Sequence, residues 1–287
     1  MLALGIVAAV AASCLYNTSI ALQALEARQE PAEHSLRPSL LGRLIRNRRW
    51  LLATGIGLAG WPFEIAALLL APLTVVQPCL ASGLVLLLCL GARRLGERPG
   101  RRERVAVAAI VAGVAGVALA APERTTEHAG AGSIALALAL VALPVLAPYA
   151  LRRRAAAGLL AVIGAGFGYA WTAIASKLLA DQLAGGSAIV AAAWLATAAA
   201  SEGLALLSEM SALQRRAATH VAPIMFAVQV LVPVALAPLI FGESWSNTPL
   251  GGLVLLASMA LAIAGTVLLA GSRAVGIVLE SAHRERP

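Results

Sequence analysis

Trp50–Pro78 reads WLLATGIGLAGWPFEIAALLLAPLTVVQP, and Leu195–Pro223 reads LATAAASEGLALLSEMSALQRRAATHVAP. Laid end on end, the two stretches put Glu64 on Glu209 and Pro78 on Pro223. From Trp50 to Ala71 the first stretch carries a single charge in 22 residues. About 20 apolar residues are what a helix needs to cross the hydrocarbon core of a bilayer. The stretch therefore predicts a membrane helix with one carboxylate inside it, and the second stretch predicts another.

Outward from this pair the same pattern fills the chain. Nine apolar blocks are predicted as spans: Leu2–Leu25, Trp50–Ala71, Leu73–Ala92, Val105–Ala121, Ser133–Leu151, Ala157–Ala180, Ser187–Met210, Thr219–Phe241 and Leu250–Ala270. Of the 287 residues, 60% are hydrophobic and 13% charged. A soluble domain carries about 25% charged residues, so the polar surface needed for a water-soluble shell is missing. The first block lacks a basic leader and stays apolar to Leu25, so it reads as a membrane helix and not a signal peptide. Cys14, Cys79 and Cys89 lie inside apolar blocks without metal-ligand spacing and read as small buried hydrophobes.

The net charge is +8. The basic residues sit in clusters between the blocks: Arg28, Arg37, Arg43, Arg46, Arg48 and Arg49, then Arg93, Arg94, Arg98, Arg101, Arg102 and Arg104. Arg152–Arg154, Arg215–Arg216, and Arg273, Arg284 and Arg286 follow in alternate connections. Only Arg124 falls on the other side, and Lys177 lies within a block. The positive-inside rule then places the C-terminus in the cytoplasm and the N-terminus outside. Basic clusters without interleaved aromatics are not a nucleic-acid footprint. The charged stretch from Glu26 to Arg49 is too polar to span. Its SLLGRLIRNRR (Ser39–Arg49) reads either as an amphipathic helix on the inner surface or as a solvated loop.

Two further matches extend the repeat. AGVAL (Ala115–Leu119) matches AGTVL (Ala264–Leu268), and SIALQALEA (Ser19–Ala27) matches AIASKLLAD (Ala173–Asp181). Gly96-Glu97 likewise matches Gly242-Glu243 with one extra residue. The fold expected is an all-α integral membrane protein of about nine helices in two inverted repeats. The first repeat covers 1–121 and the second 156–272, with a connecting helix in 122–155 and a cytoplasmic tail at 273–287. An odd helix between two four-helix units turns the second unit over, which is the architecture of many secondary transporters.

APLTVVQPCLASGLVLLLCLGARRLGERPGRRE (Ala71–Glu103) and THVAPIMFAVQVLVPVALAPLIFGE (Thr219–Glu243) resemble the drug/metabolite transporter superfamily, the EamA-like permeases. The resemblance implies a permease working by alternating access in the inner membrane. Nine helices with APLTVVQP resemble its NIPA-like branch, which implies magnesium or another divalent cation as the alternative cargo. That branch carries Gly-Glu early in its second helix, where this chain has Gly60-Trp61 and places Glu64 one turn on.

Ionisable residues inside spans cost about 2.5–3.5 kcal/mol on insertion scales and so point to function. Glu202 is the leading candidate for a proton or cation site, followed by Glu64, which follows Pro62, and by Glu209. Glu202 and Glu209 are seven residues apart and share a helix face. Pairing of Glu209 with Arg215 or Arg216 is the structural alternative. Lys177 stands four residues before Asp181, a spacing that allows an ion pair, and contact with an anionic substrate is its functional alternative. Asn17, Gln23, Gln77, His220 and Gln229 are polar residues within spans, read first as interhelical hydrogen bonds. Asn17, Gln77 and Gln229 are kept as candidate substrate contacts. GAGFG (Gly164–Gly168) has no strand before it, so its small residues read as helix-contact positions, not a dinucleotide loop.

No metalloprotease helix, nucleophile elbow or P-loop appears, so neither an enzyme nor direct ATP coupling is expected, and no cofactor. A metal ligand set is not assigned. Expected partners are a small-molecule or ion substrate, membrane lipids and a second copy of the chain, with no nucleic acid. A membrane scaffold without a transport cycle is the alternative of another class.

Overall fold

A computed structural model describes residues 2–70, 73–94, 99–120, 130–151, 157–185, 187–241 and 249–270. Every element among them is helical: α1 Leu2–Ala27, α2 Pro38–Leu44, α3 Arg48–Leu70, α4 Leu73–Arg94, α5 Arg101–Ala120, α6 Ala131–Ala150, α7 Ala157–Gly185, α8 Ala188–Leu213, α9 Ala218–Phe241 and α10 Leu253–Ala270. Seven of these, α1 and α5 to α10, are long and apolar enough to cross a membrane, as counted over the described residues. The chain is a multi-pass membrane protein. A helix satisfies all its backbone polar groups within itself, which is what lipid demands of a spanning segment. The tail at 273–287 and the Gly-Glu pairs after α4 and α9 lie outside the described residues.

Packing follows a repeated scheme. α1 lies against α3 and α4, α7 lies against α8 and α9, and α5 crosses α10. α6, which comes between the two sets in the chain, packs mainly on α7. Small residues set the closest approaches. A Cβ at Gly164 would stand 2.8 Å from Pro148 on α6, one at Gly166 would stand 2.7 Å from Val228 on α9, and one at Gly168 would stand 2.8 Å from Ala205 on α8. The glycines of GAGFG thus seat three different neighbours on α7.

The largest buried cluster runs the length of the α5–α10 contact and takes in the arginine-bearing end of the bundle. It joins Ala24 and Ala27 of α1, Leu87 of α4, Leu207, Met210 and Leu213 of α8, and Ala218 and Val221 of α9. Leu36, Leu40, Leu44 and Trp50 belong to the same cluster. The arginine-rich connection after α1 is therefore not a plain solvated loop: it holds a short amphipathic helix with Leu40 and Leu44 buried. A 3-10 turn at Ala32–His34 leads into α2, whose apolar side faces inward onto α8. Arg28 reaches the carbonyls of Leu213 and Arg216, so two of the arginine-bearing connections meet at this end. Two smaller clusters mark the other end: Ala9, Ala12, Ala67 and Leu80, and Ala137, Ile174, Leu178 and Ile240.

Leu40 and Leu44 are both 0% exposed. Leu40→Ala should lower stability by about 2–5 kcal/mol, the usual cost of a buried Leu truncation. Thermal unfolding of detergent-purified protein reads this directly. A solvated segment would show no change.

Candidate functional site

Two tyrosine–carboxylate pairs are built into the bundle. Glu64 stands on α3, two residues after Pro62, which interrupts the helix hydrogen bonding there. Tyr16 on α1 donates its hydroxyl to Glu64 Oε2 at 2.5 Å. The tyrosine ring reaches α3 because Gly60 has no side chain; a Cβ there would lie 2.8 Å from Tyr16 Cε1. In the second half, Tyr169 on α7 donates to Glu209 Oε2 on α8, also at 2.5 Å.

The two pairs occupy opposite ends. At 1.5 Å per residue, Glu64 lies ~24 Å along α3 from Arg48, whereas Glu209 lies only ~6 Å from the end of α8 at Leu213. Glu64 is half-buried near the α3 end, where Ala67 packs with Ala9, Ala12 and Leu80. Glu209 is 3% exposed, and its Oε1 has no hydrogen-bond partner among the described residues. Its partner is Tyr169 rather than Arg215 or Arg216.

Glu202 lies two turns further along α8 and is exposed. Thr172 approaches its carboxylate. Around this face Ser201 donates to the Gly168 carbonyl at 2.8 Å, and Tyr149 of α6 bonds Leu204 O at 2.7 Å and Ser208 at 2.8 Å. A groove of about 180 Å³ opens between α6, α7 and α8, lined by Val145, Trp171, Ser201 and Leu204 among others. The structure thus brings Glu202, Glu209, Tyr169 and Thr172 together on α7 and α8, and leaves Glu64 with Tyr16 in the other half.

The neutral polar residues divide. Asn17 is buried and donates to Ser13 O at 2.9 Å, while Ser13 donates to Leu80 O at 2.5 Å, fixing α1 on α4. Asn17 Oδ1 has no partner among the described residues. Gln23 donates to Thr54 at 3.0 Å and ties α1 to α3. Gln229 is half-buried on α9 and His220 is buried at its start. The side chains of Gln77, Lys177 and Asp181 lie outside the described residues.

Tyr16 and Tyr169 were not among the residues singled out from sequence. The signal was present: the chain has three tyrosines, and two stand at matching places when the two stretches predicted as a repeat are aligned. The pairs set Tyr16 on Tyr169, 153 residues on, and Ser19 on Thr172. The match of Ser19 with Ala173 is thus shifted by one residue. With that register, Ser19 donates to Ala53 O at 2.7 Å and Thr172 to Ala198 O at 3.5 Å, and Ala198 stands 145 residues after Ala53, as Glu209 does after Glu64.

No family model matches the chain, and no curated protein or solved structure does either.

Proposed function

We propose that the chain is a secondary transporter of the inner membrane. It moves a small molecule or ion by alternating access between two inverted four-helix repeats, with α6 as the connector and nine spans in all. The N-terminus is outside and the C-terminus cytoplasmic. The drug/metabolite transporter resemblance fits this reading. The observation that carries it is the doubled tyrosine–carboxylate bond. Tyr16–Glu64 and Tyr169–Glu209 join equivalent residues of the two halves, one near each end of the bundle. Two like halves running in opposite senses give outward and inward states of similar energy.

A second feature supports the symmetry. When Gly116 is set on Gly265, Gly113 falls on Ala262, and these two residues face each other where α5 crosses α10. Contact between a residue and its own counterpart is what a pseudo-two-fold axis produces. The chemistry follows from placement. Glu202 is exposed at middle depth of α8, where contact with lipid is costly, so it belongs to a water-filled path. Glu209 is the buried end of that path, and gain or loss of a proton or cation there changes its bond to Tyr169. The divalent-cation alternative needs several converging oxygens. Glu64 lies ~18 Å in depth from Glu209 by helix rise, so the three carboxylates do not form one ion shell.

Proteoliposomes screened with amino acids, cationic drugs and divalent metals under an imposed pH gradient test the proposal. At least one class is expected to accumulate when the gradient is present and not when it is collapsed. Failure of every class in both gradient directions, with the protein folded and inserted, rejects transport.

A further inference from the structure

We infer that residues 28–47 form a gate over the arginine-bearing end of α8, shut in this structure, whose opening admits water and the permeant to Glu209. The inference rests on the transport reading for the permeant, though not for the opening itself.

The segment crosses the last turn of α8 like a strap. The Leu36 N–H donates to Ser211 Oγ at 2.8 Å, and Ser211 in turn donates to Leu207 O at 2.7 Å. Gln214 Nε2 donates to Glu30 O at 3.3 Å. Arg28 donates to Leu213 O and to Arg216 O, both at 3.4 Å. The last carbonyls of a helix have no partner within it, and a cation there meets the negative end of the helix dipole. Beneath the strap, Ser208, Glu209, Met210, Ser211 and Leu213 are all buried. Glu209 sits one turn inside the covered end.

Two features mark the strap as a moving part and not a fixed wall. Its own cross-links are short: Arg43 to Glu30 at 2.5 Å, and Asn47 to Glu26 at 2.6 Å, the latter closing the two roots of the segment on each other. Among the described residues its shortest bond to α8 is Leu36–Ser211, and Leu36, Leu40 and Leu44 pack into the cluster at that end. Its own cross-links let it lift as one body. Leu36, at that latch, has φ 58°. A branched side chain in the left-handed region is strained, and such strain persists only where the surroundings impose it. Lifting the strap releases it.

The device is one-sided. α7 ends at Gly185 and α8 begins at Ala188, so the equivalent connection in the second repeat has no residues with which to build a strap. One end of the molecule carries a gate that the other lacks.

The test uses full-length protein in liposomes, with Cys14, Cys79 and Cys89 replaced by Ala and Ser208→Cys as reporter. Ser208 is fully buried and adjoins Glu209 in the chain. N-ethylmaleimide labelling of the reporter is expected to be slow, and at least about tenfold faster with Ser211→Ala or Arg28→Gln. Hydrogen exchange of the unsubstituted protein supplies a reading that no folding defect disturbs. Residues 28–47 are expected to exchange together and faster than the middle of α5. Labelling rates that ignore both substitutions, or exchange in 28–47 as slow as in α5, overturn the gate. Faster labelling in a protein that moves no solute supports the gate and rejects transport.

Discussion

On the transport proposal, Glu209→Gln is expected to abolish gradient-driven uptake in proteoliposomes while leaving the protein folded. The carboxamide has the size of the carboxylate, and its oxygen still accepts the Tyr169 hydroxyl. What it loses is the ability to take up and release a proton or to neutralise a cation. Glu209 is almost wholly enclosed, so no neighbouring water replaces that function. Tyr169→Phe separates the bond from the charge. A hydrogen bond to a charged group contributes about 1.5–3 kcal/mol, which corresponds to about 10–100-fold in rate or affinity. Tyr16→Phe perturbs the other half and is expected to act on the opposite side of the cycle, changing the rate of uptake from one face more than from the other. Measured initial rates for whichever permeant the screen identifies decide the matter. Glu209→Gln protein that accumulates permeant at the native rate refutes coupling through this residue.

The second large effect is on folding. Gly113→Leu should leave little monodisperse protein. A Cβ at position 113 would stand 2.6 Å from the Ala262 nitrogen and 2.7 Å from the Ser258 carbonyl oxygen. Both are helix backbone, which cannot rotate aside as a side chain can. α5 and α10 must separate, and the most extensive contact between helices of the first and second halves of the chain goes with them. Overpacking of this kind costs about 1–3 kcal/mol even where some relaxation is possible, and here the expected loss is at the top of that range or beyond. Gly116→Ala is the graded control, because its close neighbour is the Ser258 hydroxyl, a side chain free to turn. Gly55→Leu has open space around it and should be silent. Thermal stability by size-exclusion chromatography ranks the three. Equal stability of Gly113→Leu and Gly55→Leu would mean that the α5–α10 crossing is not close-packed.

Much of the site was legible in the chain, but in the wrong order of importance. Glu64, Glu202 and Glu209 stand out because charges are scarce in apolar blocks. Their surroundings do not stand out. Tyr16 lies 48 residues from Glu64, and Tyr169 lies 40 from Glu209, so no local spacing links them. Glu202 lies further from the arginines along α8, and the fold keeps it at middle depth but exposed, while Glu209, bonded to Tyr169, is the buried one. Packing of α2 on α8 likewise decides between the two readings of the Ser39–Arg49 stretch, in favour of a helix with a buried side. Its arginines advertise a wet surface, and its leucines reveal a contact only once α8 is known to lie beneath.

By itself the amino-acid sequence determined the solvent and the helical state. Those follow from one-dimensional quantities: block length, hydropathy and the scarcity of charge, together with lipid's demand that each segment satisfy its own backbone. Only the tertiary structure decided which carboxylate is buried, which tyrosine holds it, and that the basic connection after α1 is part of the core. Those depend on which helices become neighbours, and that is settled by glycine-sized gaps between segments far apart in the chain.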